Sequence, residues 1–460
     1  MSLKILCNVS TWNNDLIQII ANQFGSDLSI TKISNNANID KTKVKDYFVE
    51  NLSQNRDNLN KIGDENLIQR DRLLRVQNIY ESKKVIQSMR DSIVKFLDEN
   101  EFDILITESV DNFFHNILVE ESIKRNLCVI SPLLTFLNGY FRLSIFGEKY
   151  NLNEPSLDEV KNASSELLKD KYTSYYLEKN YGKTFSTYFK NWLKNNLRYY
   201  FLRMKSFFDG KKYIYHNKTY KSVDFYSRNI FFKIPFEDNN WKFKMRTDTK
   251  YIIYFPLQYY PEMTIDYWTK DVKIIDYLSS SIKILKKLSQ DFKIIIKEHP
   301  NCLGSRKNNF YDQILKEIPE IIFIPTNVHS NECLKFCDAI LTYTGTAGFE
   351  GLLRGKVLLT LSSPYYCYGK RFKKINLLTK NSEIIKLIEK NNKNPILKDE
   401  QNKLIKNLLK GFLKGTFRNL GDFNSNNEKH LLEAIELGKT LKNVYDNKKE
   451  YLLSKQKDLV

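Results

Sequence analysis

Short apolar runs bounded by polar turns recur along the chain: Lys4–Val9, Phe102–Thr107 and Leu127–Ile130 early, then Tyr251–Phe255, Phe292–Lys297, Ile321–Ile324, Ala339–Tyr343 and Val357–Thr360. Runs of this length, apolar on both faces, predict buried strands of a parallel sheet. Between them apolar residues return at three- and four-residue spacing, predicting helices over about 112–125, 274–288, 310–316, 330–336 and 347–353. Residues from about 40 to 100 are polar and periodic, hence helical, as is everything past about 380, where a Lys-rich tail closes the chain. Strand, helix and strand at these intervals make βαβ units, so the fold class is α/β with doubly wound sheets. The expected division is 1–150, an N-terminal α/β domain; 151–247, an insertion; 248–380, a C-terminal α/β domain; and 381–460, helices and tail.

The insertion is compositionally distinct. Between Glu166 and Arg246 stand 18 Lys/Arg against 7 Asp/Glu, with 23 aromatics. Phe185, Tyr188, Phe189, Trp192 and Tyr199 recur at helical spacing, so this is a helical basic-aromatic segment. Such interleaving serves packing on a neighbouring domain, attachment to an anionic membrane, or nucleic acid. No nucleic-acid module accompanies it. Over all 460 residues the formal charge is +18, which draws anions, although a Lys-, Asn- and Ile-rich composition accounts for part of the excess. No apolar run reaches the roughly 18 residues of a membrane span, and the chain enters a strand at once rather than a leader segment. Six scattered cysteines suit a reduced compartment, so a cytoplasmic protein is expected.

Chemistry in an open parallel sheet sits beyond the carboxyl ends of the strands. Four strand-end segments carry suitable groups. Lys297-Glu-His299-Pro offers an imidazole at a strand tip, or merely a turn. Tyr343-Thr344-Gly345-Thr346 opens a helix containing Glu350, leaving amides and hydroxyls for an anion or simply a capped turn. Phe255-Pro-Leu-Gln258-Tyr-Tyr-Pro-Glu262 ends in a carboxylate suited to a nucleophile or base, followed by Asp266. In the first domain, Glu108, Asp111 and His115 are acid/base candidates, Asp111 equally an N-cap. His329, Cys333 and Cys337 share a helix face without a fourth ligand, so buried cysteines beside a surface His are expected there and no metal.

Tyr254-Phe-Pro-Leu-Gln-Tyr-Tyr-Pro-Glu262, Lys297-Glu-His-Pro300, Thr344-Gly-Thr-Ala-Gly-Phe-Glu-Gly-Leu-Leu-Arg-Gly-Lys356 and Pro364-Tyr-Tyr366, in that order, resemble the bacterial capsule polysaccharide synthesis family, which includes retaining β-Kdo glycosyltransferases. The resemblance covers about 250–370 well and the first domain loosely. It implies a GT-B fold, two Rossmann-like domains facing a central cleft, with an acceptor-side first domain and a nucleotide-sugar-binding second one. It implies a CMP-activated, Kdo-like donor, with no cofactor and no metal. His299 and the turn Thr344, Gly345 and Thr346 would hold the donor phosphate, Glu350 would contact the ribose, and Gln258 would also contact the donor. Glu262 would be the nucleophile, Glu108 its acid/base partner, and a glycan or glycolipid the acceptor, at the inner face of the inner membrane. Gln258 stands where the family often has His, and Val357 where a Pro often follows the Lys. A UDP- or GDP-sugar transferase and a non-catalytic export or assembly protein are the alternatives.

Overall fold

A computed structural model describes residues 2–36, 39–54, 64–174, 185–209, 237–246, 250–304, 306, 309–418 and 422–460. Two compact units emerge: 1–154 with 201–225 and 410–460, and 155–200 with 226–409. Both are Rossmann-like α/β, as the GT-B class requires.

In the first unit β1 (Leu3–Asn8), β2 (Leu28–Ile33), β3 (Ile104–Ile106) and β4 (Cys128–Ile130) form a parallel sheet ordered β2-β1-β3-β4. Strand order along the sheet reverses between β1 and β3. On one face Ile5, Cys7, Ile104, Ile106, Cys128 and Ile130 meet the helix Asn14–Ala21 and the long terminal helix Glu428–Lys457. That last helix contributes Ala434, Leu437, Leu441 and Val444 to the core. Its Gln456 side chain also donates to Val129 O (2.7 Å) and accepts from Val129 N (3.0 Å). The backbone of edge strand β4 is thereby paired instead of left open. A small antiparallel sheet joins β5 (Pro132–Leu134), β6 (Tyr140–Leu143) and the two-residue strand Leu413–Lys414.

The second unit holds β7 (Ile252–Pro256), β8 (Lys293–Lys297), β9 (Ile322–Ile324), β10 (Ala339–Thr342), β11 (Val357–Thr360) and β12 (Phe372–Lys374). Their order is β12-β11-β10-β7-β8-β9, all parallel. Counted from β7 this is the 3-2-1-4-5-6 order of dinucleotide-binding sheets, reversing between β7 and β10. Alternate residues serve opposite cores. Ile253, Phe255, Ile294, Ile296, Ala339 and Leu341 face one side. Ile252, Tyr254, Ile295 and Ile340 face the other. Burial on both faces is why these strands read as continuous apolar runs. Apolar runs predict five strands here. The sixth, β12, is a polar edge strand that an apolar-run criterion misses, and β2 was missed for the same reason.

The basic-aromatic segment does contain a helix, Phe185–Asp209. Residues 175–184 and 210–236, and the side chains of Phe185 and Tyr199, lie outside the described residues. The inner face of the helix is set by Tyr188, which is 4% exposed. Asn191 donates to Leu303 O at 2.7 Å. Gly304, at φ +75°, lies so near the helix that a Cβ there would come within 2.4 Å of Tyr188 O. Among the described residues, no helix is long and apolar enough to cross a membrane. Gly304→Ala should cost about 1–3 kcal/mol through overpacking against rigid backbone. Urea denaturation matching the native protein would show that helix and loop do not touch this way.

Candidate functional site

Three of the strand-end segments lie side by side. The β7–β8 register pairs Pro256 with Lys297, and the β7–β10 register pairs Tyr254 with Ile340. Continued past the ladders, these registers set Gln258 between His299 and Thr344. Adjacent strands are about 4.8 Å apart, so the outer two members of the row are about 10 Å apart at the backbone. The row stands where strand order reverses, the crevice position at which doubly wound sheets bind ligands.

Gln258 is its crossbar. Its Oε1 accepts from the amides of Tyr343 and Thr344 (both 3.0 Å), and its Nε2 donates to Thr344 Oγ1 (2.7 Å). Tyr277 Oη accepts from the Gln258 amide at 2.9 Å. Gln258 and Thr344 are both buried and bonded to each other. The amide of Gly345 donates to Thr342 Oγ1 at 2.9 Å, and Tyr366 Oη donates to the Gly345 carbonyl. A Cβ at Gly345 would sit 2.8 Å from that Thr342 oxygen, so only glycine fits there. Thr346 is the N-cap position of the helix Ala347–Leu353 but makes no side-chain capping bond. The amides left for a ligand are those of Thr346 and Ala347, which have no acceptor among the described residues.

His299 is partly buried, and its Nδ1 accepts from the Asn301 amide at 3.1 Å. That bond assigns the proton to Nε2. Burial is the main force pulling the imidazole down to about 4; Glu298 opposes it, while Arg306 and Lys297 add to it. At neutral pH His299 is therefore an uncharged Nε2–H donor. The loop carrying it is fixed by groups outside the strand-end candidates. Arg306 Nε donates to Glu298 Oε2 (2.5 Å) and its Nη2 to Glu298 Oε1 (2.8 Å) and Gln258 O (2.5 Å). Tyr311 Oη also donates to Glu298, at 2.6 Å. Both charged side chains are 2% exposed. One buried ion pair thus ties the loop after β8 to the loop after β7. Arg306 lies in no motif, so no local signal marks it.

Glu262 precedes the short helix Met263–Asp266 and accepts from Thr264 Oγ1 at 2.6 Å. Asp266 is buried. Glu350 is partly buried, and that burial raises its carboxyl above the usual range against the pull of Arg354 and Lys297. Lys297, 3% exposed, is pulled below the usual amine range by burial.

In the first unit Glu108 accepts from Asn13 Nδ2 just past the end of β3. Beside it Asn8 Nδ2 donates to Thr107 Oγ1 at 2.9 Å, bridging β1 and β3 across their reversal point. Asp111 pairs with Arg72 at 2.6 Å, and Asn112 rather than Asp111 caps the following helix, accepting from the His115 amide. His115 is buried. Cys333 and Cys337 are buried, while His329 caps its helix and its Nε2 meets Thr173 Oγ1 at 3.1 Å. Among the described residues no group of three His, Cys, Asp or Glu could hold a metal ion.

The family model described as "Capsule polysaccharide biosynthesis protein" matches residues 163–369, which contain the whole row. No curated protein matches the chain. Among solved structures it is similar to the KpsC beta Kdo 2,7 transferase of Thermosulfurimonas dismutans, with 12% identity, 95% of this chain and 99% of that one covered, and TM-score 0.39. A second is that organism's KpsC beta Kdo 2,4 transferase, with 14% identity, 66% and 79% covered, and TM-score 0.32. A third is the UDP-GlcNAc 2-epimerase of Neisseria meningitidis bound to UDP-GlcNAc, with 13% identity, 89% and 100% covered, and TM-score 0.26.

Two measurements test this geometry. Arg306→Met should cost about 3–5 kcal/mol in urea denaturation, because it strands Glu298 as a buried charge. Glu298→Gln combined with Arg306→Met should recover most of that loss, and an equal or larger loss would contradict the pairing. For His299, the unfolded chain takes up a proton near pH 6.5 and the folded chain only near 4. Its stabilising contribution is therefore complete above about pH 6.5 and lost as pH falls towards 4. An NMR midpoint near 6.5 would refute the neutral donor.

Proposed function

With residues 163–369 matching the capsule polysaccharide biosynthesis family, we propose that this chain is a glycosyltransferase of capsule- or lipopolysaccharide-type assembly, taking an acidic, Kdo-like sugar from a CMP-sugar. The observation that carries the reading is the His299–Gln258–Thr344 row at the strand-order reversal, followed at once by the two amides of Thr346 and Ala347.

A CMP-sugar brings one charge on its phosphodiester and one on its sugar carboxylate. As the bond from the anomeric carbon to the phosphate oxygen breaks, that oxygen keeps the electron pair and gains charge. Donors aimed at it stabilise the transition state more than the ground state. His299 Nε2–H and the amides of Thr346 and Ala347 fill that role. Because the imidazole is neutral, it donates a hydrogen bond without first taking up a proton. Gln258 and Thr344 act indirectly, by holding the end of β10 beside the end of β7. Glu350 accepts from the ribose hydroxyls.

Glu262 attacks the anomeric carbon as CMP leaves. An acceptor hydroxyl then displaces Glu262 and gives its proton to a general base, so two inversions give net retention. The reading requires no cofactor or metal beyond the donor itself.

Calorimetry with CMP, UDP and GDP should give heat with CMP. Preference for UDP or GDP would replace the donor assignment, and silence with all three would point to a non-catalytic assembly protein. His299→Ala should lower turnover by about 10²–10³. Glu262→Gln should still bind donor but form no glycosyl-enzyme adduct by mass spectrometry.

A further inference from the structure

The helix Phe185–Asp209 has a second apolar face. Phe189 is 45% exposed, Leu193 41%, Leu197 63% and Tyr200 47%, and Phe201 (60%) and Met204 (61%) extend the row along the same helix. Spacings of four, four, three, one and three keep these six within about 120° of arc, counting 100° per residue. Tyr188 and Trp192, whose backbone lies against Gly304, and Asn191, whose side chain donates to Leu303 O, lie on the opposite arc. Sequence periodicity alone gives Phe185, Tyr188, Phe189, Trp192 and Tyr199 a common helical spacing. The structure separates Tyr188, turned inward, from Phe189, turned to solvent.

Charge identifies what this face meets. From Phe185 to Phe208 there are five Lys/Arg and no Asp/Glu. Lys190 and Lys194 are exposed and fall along one border of the apolar row. A row of aromatic and aliphatic groups bordered by lysines suits the boundary between lipid headgroups and acyl chains, with ammonium groups reaching the anionic phosphates. The same face of a second copy would offer these lysines no acidic partner, since no Asp or Glu lies between Phe185 and Phe208.

We propose that Phe189, Leu193, Leu197 and Tyr200, with Lys190 and Lys194, form a docking face for an anionic lipid surface. The opposite side of the same helix holds the loop that begins at His299, so docking would bring the donor loop towards a membrane-bound acceptor. The lipid proposal does not depend on the identity of the donor.

The full chain should co-sediment with vesicles of equal parts phosphatidylcholine and phosphatidylglycerol, and much less with phosphatidylcholine alone. Binding should weaken as salt rises. Replacing Lys190 and Lys194 by Ala should cost roughly fivefold per lysine on the mixed vesicles. Leu193→Ser with Leu197→Ser should reduce binding further, with an unchanged melting temperature because both residues are exposed. Absence of vesicle binding, binding indifferent to lipid charge, or variants that bind like the native chain would overturn the proposal. So would a dimer in sedimentation velocity that the two serine substitutions dissolve.

Discussion

A single uncharged side chain spans the point where strand order reverses in the second sheet. With the amide of Gln258 in place, two strand-end amides and a threonine hydroxyl are satisfied at once, and the ends of β7 and β10 are held at bonding distance. Without it, two buried backbone donors would lose their acceptor, each a loss of about 1–3 kcal/mol. An amide suits the position because it donates and accepts simultaneously and brings no charge into a buried corner. The first sheet uses a related device, with Asn8 reaching Thr107 across its own reversal point. In both units the crevice that the topology opens is braced by a carboxamide against a threonine hydroxyl.

The second constraint is ionic. Glu298 and Arg306 are removed from water together, a cost that Tyr311, the His299 amide and the Gln258 carbonyl offset by adding hydrogen bonds to the ion pair. That cluster fixes two loops relative to each other and sets the electrostatics beside them. His299 is kept neutral chiefly by burial. Donation from Nε2 is therefore a property of the folded loop and not of the residue type.

Much of the fold was legible in the sequence because buried parallel strands are apolar on both faces. The strands at 321–324, 339–343 and 357–360 were read within a residue of their observed limits, and the helix Ala347–Leu353 was read outright. The edge strands β2 and β12 were not legible, since they are only partly buried and carry polar residues, whereas the edge strands β4 and β9 are buried and apolar. The strand-end candidates were legible too, because carboxyl ends of parallel strands are predictable places for chemistry. Their partners were not. Arg306 reaches Gln258 across 48 residues and Gln258 reaches Thr344 across 86, and nothing in local spacing reports such contacts.

Composition and periodicity by themselves determined the α/β class, the strand ends that carry chemistry, and a helix rich in aromatic and basic residues. Those features follow from local rules: apolar content sets burial, and spacing sets helix or strand. Tertiary structure alone decided which candidate groups are spent internally, as Gln258, Thr344 and Asp111 are, and which donors remain, as at Thr346 and Ala347. It also decided which side of the aromatic helix faces solvent. Each of these depends on what a distant segment places opposite a residue, and hydrogen-bond satisfaction and burial are settled only when both partners are in position.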